Sequence, residues 1–494
     1  MQKIYIFLAS ILIASQSFGQ SSAIQSSRGN AVEGKISLQQ AIDVALQNNI
    51  QVKQNNLNAD IGVNNLNQAR FNRLPQVNGS FSQSISFGRT IDPFTNLYIE
   101  QQVGFQNFGL NAGVQIFGGY QLQNAIKQSE YNLQAAKMDV QTTKDNIALN
   151  VVLAYLAILN NEDLLAIAKN QIVLTKLQVE RTEKLVNAGA LPQTNLLDLK
   201  AQLANDEGSI VNAENALDLS KLSLLQLMNV NIMQDIQLDR ITLATPGSDR
   251  YDATSQGIFD IALGFQPVIK AAELRVQSAN MGIEIAKGAL LPRLTFGGSL
   301  GTNYSSAAPN QRFIGDGTNS AVDIPSTKSF VLVNGAKQPV FTNTTIPGGS
   351  LQDFGYFNQL NFNLSRGLQL SLSVPIFNNY RAKTQVSNAV IQKKIQEYAV
   401  ENTKLQLRQN IETAYNNMTA AAKRYAVTQR QVEALELAFK ASESRFNVGA
   451  LNSVDYNLAK TNLDRAKVNL VQNKYDYIFR TKILDYYQNK PLSF

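Results

Sequence analysis

The sequence predicts a mainly α-helical protein with a β-barrel part that crosses a membrane. Three observations favour this fold class. Short motifs recur in the same order in both halves of the chain, polar and apolar residues alternate over runs of ten or more residues, and apolar residues recur every seventh position over longer stretches. We therefore expect one structural repeat present twice, each copy with a helix, two strands and a long helical hairpin.

The composition excludes several kinds of chemistry. Hydrophobic residues make up 44% of the 494 residues and charged residues 16%, which is typical of neither a disordered chain nor a helical membrane protein. Cysteine, histidine and tryptophan are absent, so thiol chemistry, disulfides, histidine catalysis and the usual zinc sites are excluded. We expect no cofactor, no metal and no catalytic residue. The net charge is +7, and the Lys and Arg residues are scattered among acidic residues, which does not favour nucleic-acid binding.

The N-terminus has the pattern of a secretory signal peptide over residues 1–19. Lys3 precedes an apolar run from Ile4 to Ala14, and Ser17 and Gly19 place small residues at the cleavage positions before Gln20. A membrane anchor is the alternative, but this apolar run is too short to span a bilayer. A membrane crossing elsewhere would therefore use β-strands in a closed barrel.

Matching motifs divide the mature chain into two repeats, 20–245 and 246–494. Residues 40–46 resemble residues 257–263 at an offset of 217. Residues 116–120 and 187–191 match 376–380 and 447–451 at an offset of 260. The difference, 260 minus 217, places an insertion of 43 residues in the second repeat. Its Gly, Pro, Asn, Ser and Thr content predicts a long loop at about 305–355.

Each repeat opens with an amphipathic helix, predicted over 38–72 and 254–290, and continues with strands of period two. One strand face is apolar and the other carries mostly Ser, Asn, Gln and Gly, over lengths that suit a tilted transmembrane strand. The strands of a soluble β-sandwich also alternate between apolar and polar residues. The signal peptide and the scarcity of charged residues on the polar face favour lipid on one face of the sheet and water on the other. The predicted strands cover residues 77–91, 110–116, 294–304 and 362–376, flanked by the aromatic residues Phe94, Tyr98, Phe117, Tyr120, Phe354, Tyr356, Phe357, Phe377 and Tyr380.

Two long helical hairpins follow the strands. From Tyr120 to Val186 the chain has neither proline nor glycine, and roughly 67 residues at 1.5 Å per residue give about 100 Å of helix. Seven-residue spacing predicts coiled-coil seams. Gly189 and Gly449 suit the left-handed residue that ends a helix, whereas Pro192 and either Asn452 or Ser453 suit the start of the returning one. The seam residues are Ile126, Leu133, Val140, Ile147 and Ala154; Leu196, Leu203, Ile210, Leu217 and Leu224; Ile411, Met418, Tyr425, Val432, Phe439 and Phe446; and Leu463, Leu470, Tyr477 and Leu484.

The number of strands per chain predicts how many copies assemble. Four strands per chain cannot close a barrel, and an open sheet in lipid would leave its edge groups unpaired. Two chains would give eight strands with a filled interior, whereas three give twelve and leave room for a channel. The antiparallel coiled-coil helices would extend from the membrane as a continuous α-barrel.

These features resemble the TolC family of outer-membrane efflux proteins over nearly the whole mature chain. The similarity is carried by residues 36–49, the Leu-Pro pairs at 74–75 and 291–292, residues 115–119 with 374–377, and the Gly-Ala-Leu tips. The resemblance implies a homotrimer with one twelve-stranded barrel in the outer membrane and a helical tunnel in the periplasm. It also implies a passive channel, not an enzyme, that works with a periplasmic adaptor and an inner-membrane transporter.

The resemblance also implies roles for the two hairpin tips. The tip residues Asn187, Ala188, Gly189, Ala190 and Leu191, and Asn447, Val448, Gly449, Ala450 and Leu451, would dock on the adaptor.

The resemblance further implies that carboxylates just after the tip glycines line the closed end of the tunnel. Asp455 matches that position, but its counterpart in the first repeat is Asn195, and Asp198 lies three residues further on. A ring of three Asp455 side chains would attract cations. Each residue also has an alternative interpretation. Asp455 would be an acid in the first helical turn that complements the helix dipole, and Asp198 would lie on a solvated helix face.

Three other classes of protein fit these sequence features less well. A periplasmic adaptor would have one hairpin and soluble β-domains, and a structural coiled-coil envelope protein would not return along itself with matched tips. A secreted hydrolase would need a Gly-x-Ser-x-Gly nucleophile elbow or a carboxylate pair in a strand–loop context, and the sequence offers neither.

Overall fold

The computed structural model describes residues 35–91, 96, 98–100, 102–230, 236–240 and 253–490. The predicted signal peptide, Phe94 and the predicted repeat boundary at 245/246 lie outside these residues. The described helices are α1 Leu38–Asn48, α2 Ile50–Phe71, α3 Gln121–Asn187, α4 Gln193–Met228, α5 Ser255–Phe265, α6 Pro267–Gly288, α7 Tyr356–Phe362, α8 Arg381–Asn447 and α9 Ser453–Tyr487. The described strands are β1 Lys35–Ile36, β2 Gln76–Ser86, β3 Arg89–Ile91, β4 Tyr98–Glu100, β5 Val103–Gly118, β6 Gln237–Leu238, β7 Arg293–Ser305, β8 Gln311–Val333, β9 Ala336–Asp353 and β10 Ser365–Ser373.

The chain divides into two compact units. The first is helical and takes its described residues from Met1–Gly62, Leu133–Arg275 and Gln396–Phe494. The second contains the larger sheets and takes its residues from Val63–Asn132 and Val276–Ile395.

The helix predicted over 38–72 is two helices, α1 and α2, with a break at Asn49. Ser37 begins α1 with a capping box, in which its hydroxyl accepts from the Gln40 N–H at 3.3 Å and the Gln40 side chain accepts from the Ser37 N–H at 3.0 Å. The Asn49 side chain accepts from the Gln51 N–H at 2.9 Å and so satisfies a free donor of α2. The second repeat breaks in the same place, because α6 begins at Pro267 and proline is favoured at the first helical position.

Tyr155 lies at the centre of the helical unit's larger hydrophobic core. Its side chain is fully buried in α3, and its hydroxyl lies 2.6 Å from the Asp239 carbonyl and 3.1 Å from the Ile36 carbonyl. Those carbonyls flank the short parallel pair of β1 and β6. Tyr155 therefore holds two distant chain segments against one long helix.

The long helices bury most of their predicted seam residues and leave the others half-buried. In α3 Leu133, Val140, Ile147 and Ala154 are buried, and in α8 Ile411, Met418, Tyr425 and Val432 are buried. Both helices contain 67 residues, as the absence of internal proline and glycine predicts for α3. An 18-residue window of α3, with a mean hydropathy of 1.6, is apolar enough by composition to cross a membrane. Residues 151–159 of α3 instead contribute most of their side chains to the helical core.

The second unit contains a four-stranded antiparallel sheet in the order β10-β7-β5-β2. The register aligns Ala112 with Val77 and Gly298, and Gly298 with Leu368. One residue along, Asn111 is aligned with Asn78 and Ser299, on the opposite face. The predicted division into an apolar and a polar face is therefore confirmed across all four strands.

Two predicted strands are shorter in the structure. The strand predicted over 77–91 ends at Ser86, because the chain turns at Gly88 with a φ of +93°, and β3 pairs with β4 instead. The strand predicted over 362–376 is reduced to β10. Phe362 ends α7, and Pro375 lacks an N–H and restricts the residue before it, so the strand ends at Ser373.

The loop predicted at about 305–355 is mostly a long β-hairpin of β8 and β9, so that prediction was wrong. The turn is Asn334-Gly335, with φ values of 52° and 81° that suit a type I′ turn. The overall richness in Gly, Pro and polar residues masked this local signal, although Asn-Gly after the apolar run from Phe330 to Val333 is typical of a hairpin.

Tyr155→Phe should destabilise the folded protein by about 1 kcal/mol, because it removes the hydrogen bond to the part-buried Asp239 carbonyl. Thermal unfolding followed by circular dichroism measures this loss. Tyr398→Phe, at an exposed site in α8, is the matched control and should be neutral. Equal effects of the two variants would contradict the assigned role.

The same tyrosine should contribute to alkaline unfolding. Burial raises the pKa of Tyr155 to about 12, above the ordinary value of 10.0. The folded protein holds the phenolic proton more tightly, so this stabilisation is complete below pH 10.0 and is lost as the pH rises towards about 12. Stability should therefore fall less steeply over this range in Tyr155→Phe than in the parent protein.

Candidate functional site

Both helical hairpins end in the same backbone motif. At the first tip the Gly189 N–H donates to Val186 O at 2.9 Å and the Ala190 N–H donates to Leu185 O at 2.9 Å. The second tip repeats this pattern at Gly449 and Ala450. This is the Schellman motif, and it requires the left-handed φ of +73° at Gly189 and +77° at Gly449. The predicted role of these glycines as helix ends is confirmed.

The tip residues themselves are mostly exposed. Residues 187–190 and 447–450 are accessible, Leu191 and Leu451 are half-buried, and Val448 is 79% exposed. A β-carbon at Gly189 or Gly449 would meet no atom within 4 Å, so backbone conformation alone explains the glycines. Each tip is therefore a small accessible surface on a rigid turn.

Asp455 is held at the start of α9 by Asn452. The Asn452 side chain accepts from the Asp455 N–H at 2.8 Å and donates to the Asp455 carboxylate at 3.0 Å. Asn452, one of the two predicted candidates, is thus the N-cap, and Ser453 is the first helical residue. The exposed Asp455 carboxylate also complements the helix dipole, as the alternative to a gate predicts.

Asn195 and Asp198 lie together beside Ser453. The Ser453 hydroxyl lies 2.9 Å from an Asp198 carboxylate oxygen and 3.4 Å from Asn195 Oδ1. A serine has one proton to donate, and the charged carboxylate is the stronger acceptor. Ser453 is only 2% exposed, whereas Asp198 is accessible, so a part-buried contact joins α4 to α9.

A second contact joins the two hairpins at their ends. Arg181 of α3 donates to Asn447 of the second tip, with distances of 2.5 Å to the side-chain oxygen and 3.3 Å to the carbonyl. Tyr456 packs beneath this tip on the ring of Phe446, with centroids 4.5 Å apart. No sequence pattern predicts the partners of Arg181 and Ser453, because neither residue follows a heptad or a motif.

A buried cluster of charged and polar side chains joins three helices away from the tips. Lys460 of α9 lies 3.2 Å from Asp206 of α4 and 3.1 Å from Asp464, and the Lys460 and Asp206 side chains are only 7% and 8% exposed. Asp206 also accepts from Thr175 of α3 at 2.5 Å and from Gln202 at 2.7 Å. Every oxygen of the Asp206 carboxylate therefore has a donor.

The cluster was not predicted, although the sequence contains a signal for it. Asp206 lies three residues after the seam residue Leu203, where the preceding heptad has Leu199. A charged residue at an otherwise apolar seam position favours one register and one partner over others. We infer that the cluster sets the alignment of α4 against α9.

Comparison with known proteins shows which protein family this sequence matches. The profile of the family described as outer membrane efflux protein matches residues 41–230 and 361–480. The outer membrane efflux protein BepC of Brucella suis biovar 1 (strain 1330) is 20% identical over 454 residues, which cover 91% of this chain and 85% of BepC.

Solved structures show the same fold. The outer membrane protein VceC of Vibrio cholerae superimposes with a TM-score of 0.70 at 16% identity, covering 92% of this chain and 97% of that one. The CmeC outer membrane channel of Campylobacter jejuni superimposes with a TM-score of 0.67 at 17% identity, covering 92% and 87%.

Lys460→Met should destabilise the protein by about 3–5 kcal/mol, because it leaves a buried carboxylate without its cation. Lys467→Met is the matched control on the same helix, since Lys467 pairs with Glu436 at a largely exposed site and should cost about 0–1 kcal/mol. Thermal unfolding measures both variants. A Lys460→Met/Asp206→Asn double variant should recover part of the loss, and a larger loss than in the single variant would contradict the pairing.

Proposed function

The chain belongs to the outer membrane efflux protein family, and from this premise we propose that three copies together build one channel. It is an outer-membrane efflux channel whose helical part lies in the periplasm. Its relatives are channel proteins, and we propose that this chain is likewise a passive duct without catalytic activity. The observation that carries the proposal is an amphipathic sheet with two unpaired edges.

The four-stranded sheet supports a barrel shared between chains. Among the described residues, β2 and β10 form its edges and pair on one side only. Unpaired edge groups are very costly in lipid, so the sheet must continue into another copy. Three copies supply twelve strands, enough for a closed barrel with an open lumen.

The two faces of the sheet support the orientation of that barrel. Apolar side chains on one face of the sheet are exposed, among them Leu370 at 64% and Phe81 at 59%. The other face presents Asn78, Asn111 and Gln369. We propose that the apolar face contacts lipid and that the neutral polar face lines the lumen.

The helices offer further support for assembly. Large apolar residues remain exposed along the long hairpins, among them Leu177, Leu197, Val211, Leu405 and Leu437. Isolated exposed apolar residues are ordinary, but several on each helix indicate additional helical neighbours. We propose that neighbouring copies cover them and complete an α-barrel of twelve coiled-coil helices. The equal length of α3 and α8 also favours an origin by internal duplication.

Proteins of this family work with periplasmic adaptors and inner-membrane pumps. We propose that the tips 187–191 and 447–451 dock on such an adaptor and that the pump supplies the energy. Two matched, rigid and exposed tips per chain would offer six related sites to an adaptor ring.

We propose that Asp455, Asp198 and Asn195 form the periplasmic aperture. Three copies of the exposed Asp455 around one axis would attract cations and narrow the passage. The Ser453–Asp198 and Arg181–Asn447 contacts would hold the two hairpins of each chain together in the closed state.

Leu370→Arg should reduce assembly of the barrel, because an arginine on a lipid-facing strand costs about 2–4 kcal/mol at the bilayer midplane. Gln369→Arg is the matched control on the lumen face and should assemble normally but shift ion selectivity towards anions. The measurement is the mass of the detergent-solubilised protein by light scattering, which should equal three mature chains for the parent protein. A monomer or dimer, or equal effects of the two substitutions, would contradict the proposal.

Asp455→Asn should weaken block of the channel by a divalent cation such as Mg²⁺ without loss of the helix cap, because asparagine retains the hydrogen bond to Asn452 but not the charge. Asp455→Ala should in addition raise single-channel conductance in planar bilayers. Asp218→Ala, at an exposed acid on α4, is the control. Single-channel traces identical to those of the parent protein would contradict the assignment of Asp455 to the gate.

A further inference from the structure

The four described strands of the amphipathic sheet carry two charged residues, Arg293 of β7 and Arg366 of β10. The two lie towards opposite ends of the sheet and on opposite faces. Arg366 is aligned with Leu300 on the apolar face, whereas Arg293 is aligned with Ser373 and lies on the polar face, next but one to Thr295. The polar face of these strands therefore carries one charge per chain, and that charge is positive.

Arg293 lies at the end of the sheet where the strands join the helices. It is the first residue of β7, shortly after α6 ends at Gly288, and its partner Ser373 is the last residue of β10 before α8. In an outer-membrane channel with periplasmic helices, this end of the sheet is the periplasmic end of the barrel. A solute that enters the barrel from the periplasmic side therefore passes Arg293.

The polar face next to Arg293 is concave. A groove of about 620 Å³ lies on this face, and its lining includes Gln115, Thr295 and Ser371, which form the row of the sheet next to that of Arg293. The side chains that line the groove are all uncharged. The Arg293 guanidinium is therefore the fixed charge that an ion in this groove would meet on the sheet.

The charge of Arg293 is not neutralised within the described part of the chain. Its side chain is exposed, and no described residue forms an ion pair or hydrogen bond with it. An arginine stays protonated at any physiological pH. A charge on the wall of a cleft with low-dielectric surroundings raises the local concentration of ions of the opposite sign. Arg293 is thus free to attract anions.

The first repeat is neutral at the equivalent position. Gln76 corresponds to Arg293 at the offset of 217 that also relates the two Leu-Pro pairs. The structure supports this equivalence, because Gln76 pairs with Gly113 as Arg293 pairs with Ser373, and Gly113 corresponds to Ser373 at the offset of 260. The chain therefore contains an uncharged version of the same position, which provides a matched control.

We propose that three Arg293 side chains form a cationic ring in the lumen at the periplasmic end of the barrel, and that this ring favours anions over cations there. Rings of basic side chains are a general device for anion selectivity in pores. The inference rests on the proposed trimer and lumen face but goes beyond both, since a neutral lumen would also form a channel. It assigns to Arg293 a role in selecting anionic solutes.

Thiol reactivity beside the ring measures its electrostatic potential, since the chain has no native cysteine. Thr295→Cys places a reporter on the same face, about 7 Å from position 293 at roughly 3.3 Å per residue. This separation is within the Debye length of about 8 Å at physiological salt. The protein is reconstituted in lipid vesicles, and the rates of modification by an anionic and a cationic methanethiosulfonate are compared.

Arg293→Gln should lower the ratio of the anionic to the cationic rate at Thr295→Cys several-fold, because the positive potential is lost. The difference from the parent ratio should shrink as the salt concentration rises. Arg293→Lys, which restores the charge, should recover the parent ratio.

Two matched controls change charge elsewhere in the sheet. Arg366→Gln removes an equal charge from the apolar face and should leave the rate ratio at Thr295→Cys unchanged. Gln76→Arg adds the charge to the first repeat and should raise the ratio at Asn78→Cys, which is the counterpart of Thr295→Cys at the offset of 217.

A reporter on the apolar face, Leu370→Cys, separates the ring from the proposed channel. Modification of Leu370→Cys as fast as that of Thr295→Cys would overturn the assignment of the two faces to lipid and lumen, and with it the proposed function. A protected Leu370→Cys together with an unchanged ratio in Arg293→Gln would overturn the ring and leave the channel proposal intact. Equal falls in Arg293→Gln and Arg366→Gln would also overturn the ring, because the effect would then not depend on the polar face.

Discussion

Backbone hydrogen bonding at the sheet edges is the constraint on which the rest of this molecule depends. Every strand carries N–H and C=O groups on both sides, and in lipid each of these groups needs a partner within the protein. The chain provides β2, β5, β7 and β10, too few to close on themselves. In the proposed channel several copies therefore pool their strands, and the edges of β2 and β10 are where one copy would meet the next.

The helical unit meets a different requirement, which is to keep very long helices in one alignment. Heptad seams of small and medium apolar residues allow close packing, but they specify register weakly because one heptad resembles the next. The Asp206–Lys460 pair reduces this ambiguity between α4 and α9, since each charged group finds its partner in one alignment only. Buried polar contacts thus supply the specificity that the repetitive seams lack.

The two repeats share a framework but differ where function is proposed. Their tips have the same Schellman geometry, yet Asp455 of the second repeat corresponds to Asn195 of the first. Ser453 of the second repeat contacts both Asn195 and Asp198 of the first, so the nonequivalent positions meet in one place. The insertion predicted for the second repeat coincides with the β8–β9 hairpin.

The sequence by itself determined the order of the long helices and the four sheet strands, the two faces of the sheet, most of the buried seam positions and the left-handed glycines, because each depends on a local period or on one residue's conformational freedom. It also contained the Asn334-Gly335 turn, which the composition of the surrounding segment concealed. The helix breaks at Asn49 and Gln266 and the end of β10 also have local causes, among them Pro267 and Pro375. Only the tertiary structure decided which residues face Ser453, Arg181 and Asp206. These features depend on contacts between residues far apart in the chain, and no short-range pattern records which distant side chain will complete a hydrogen bond.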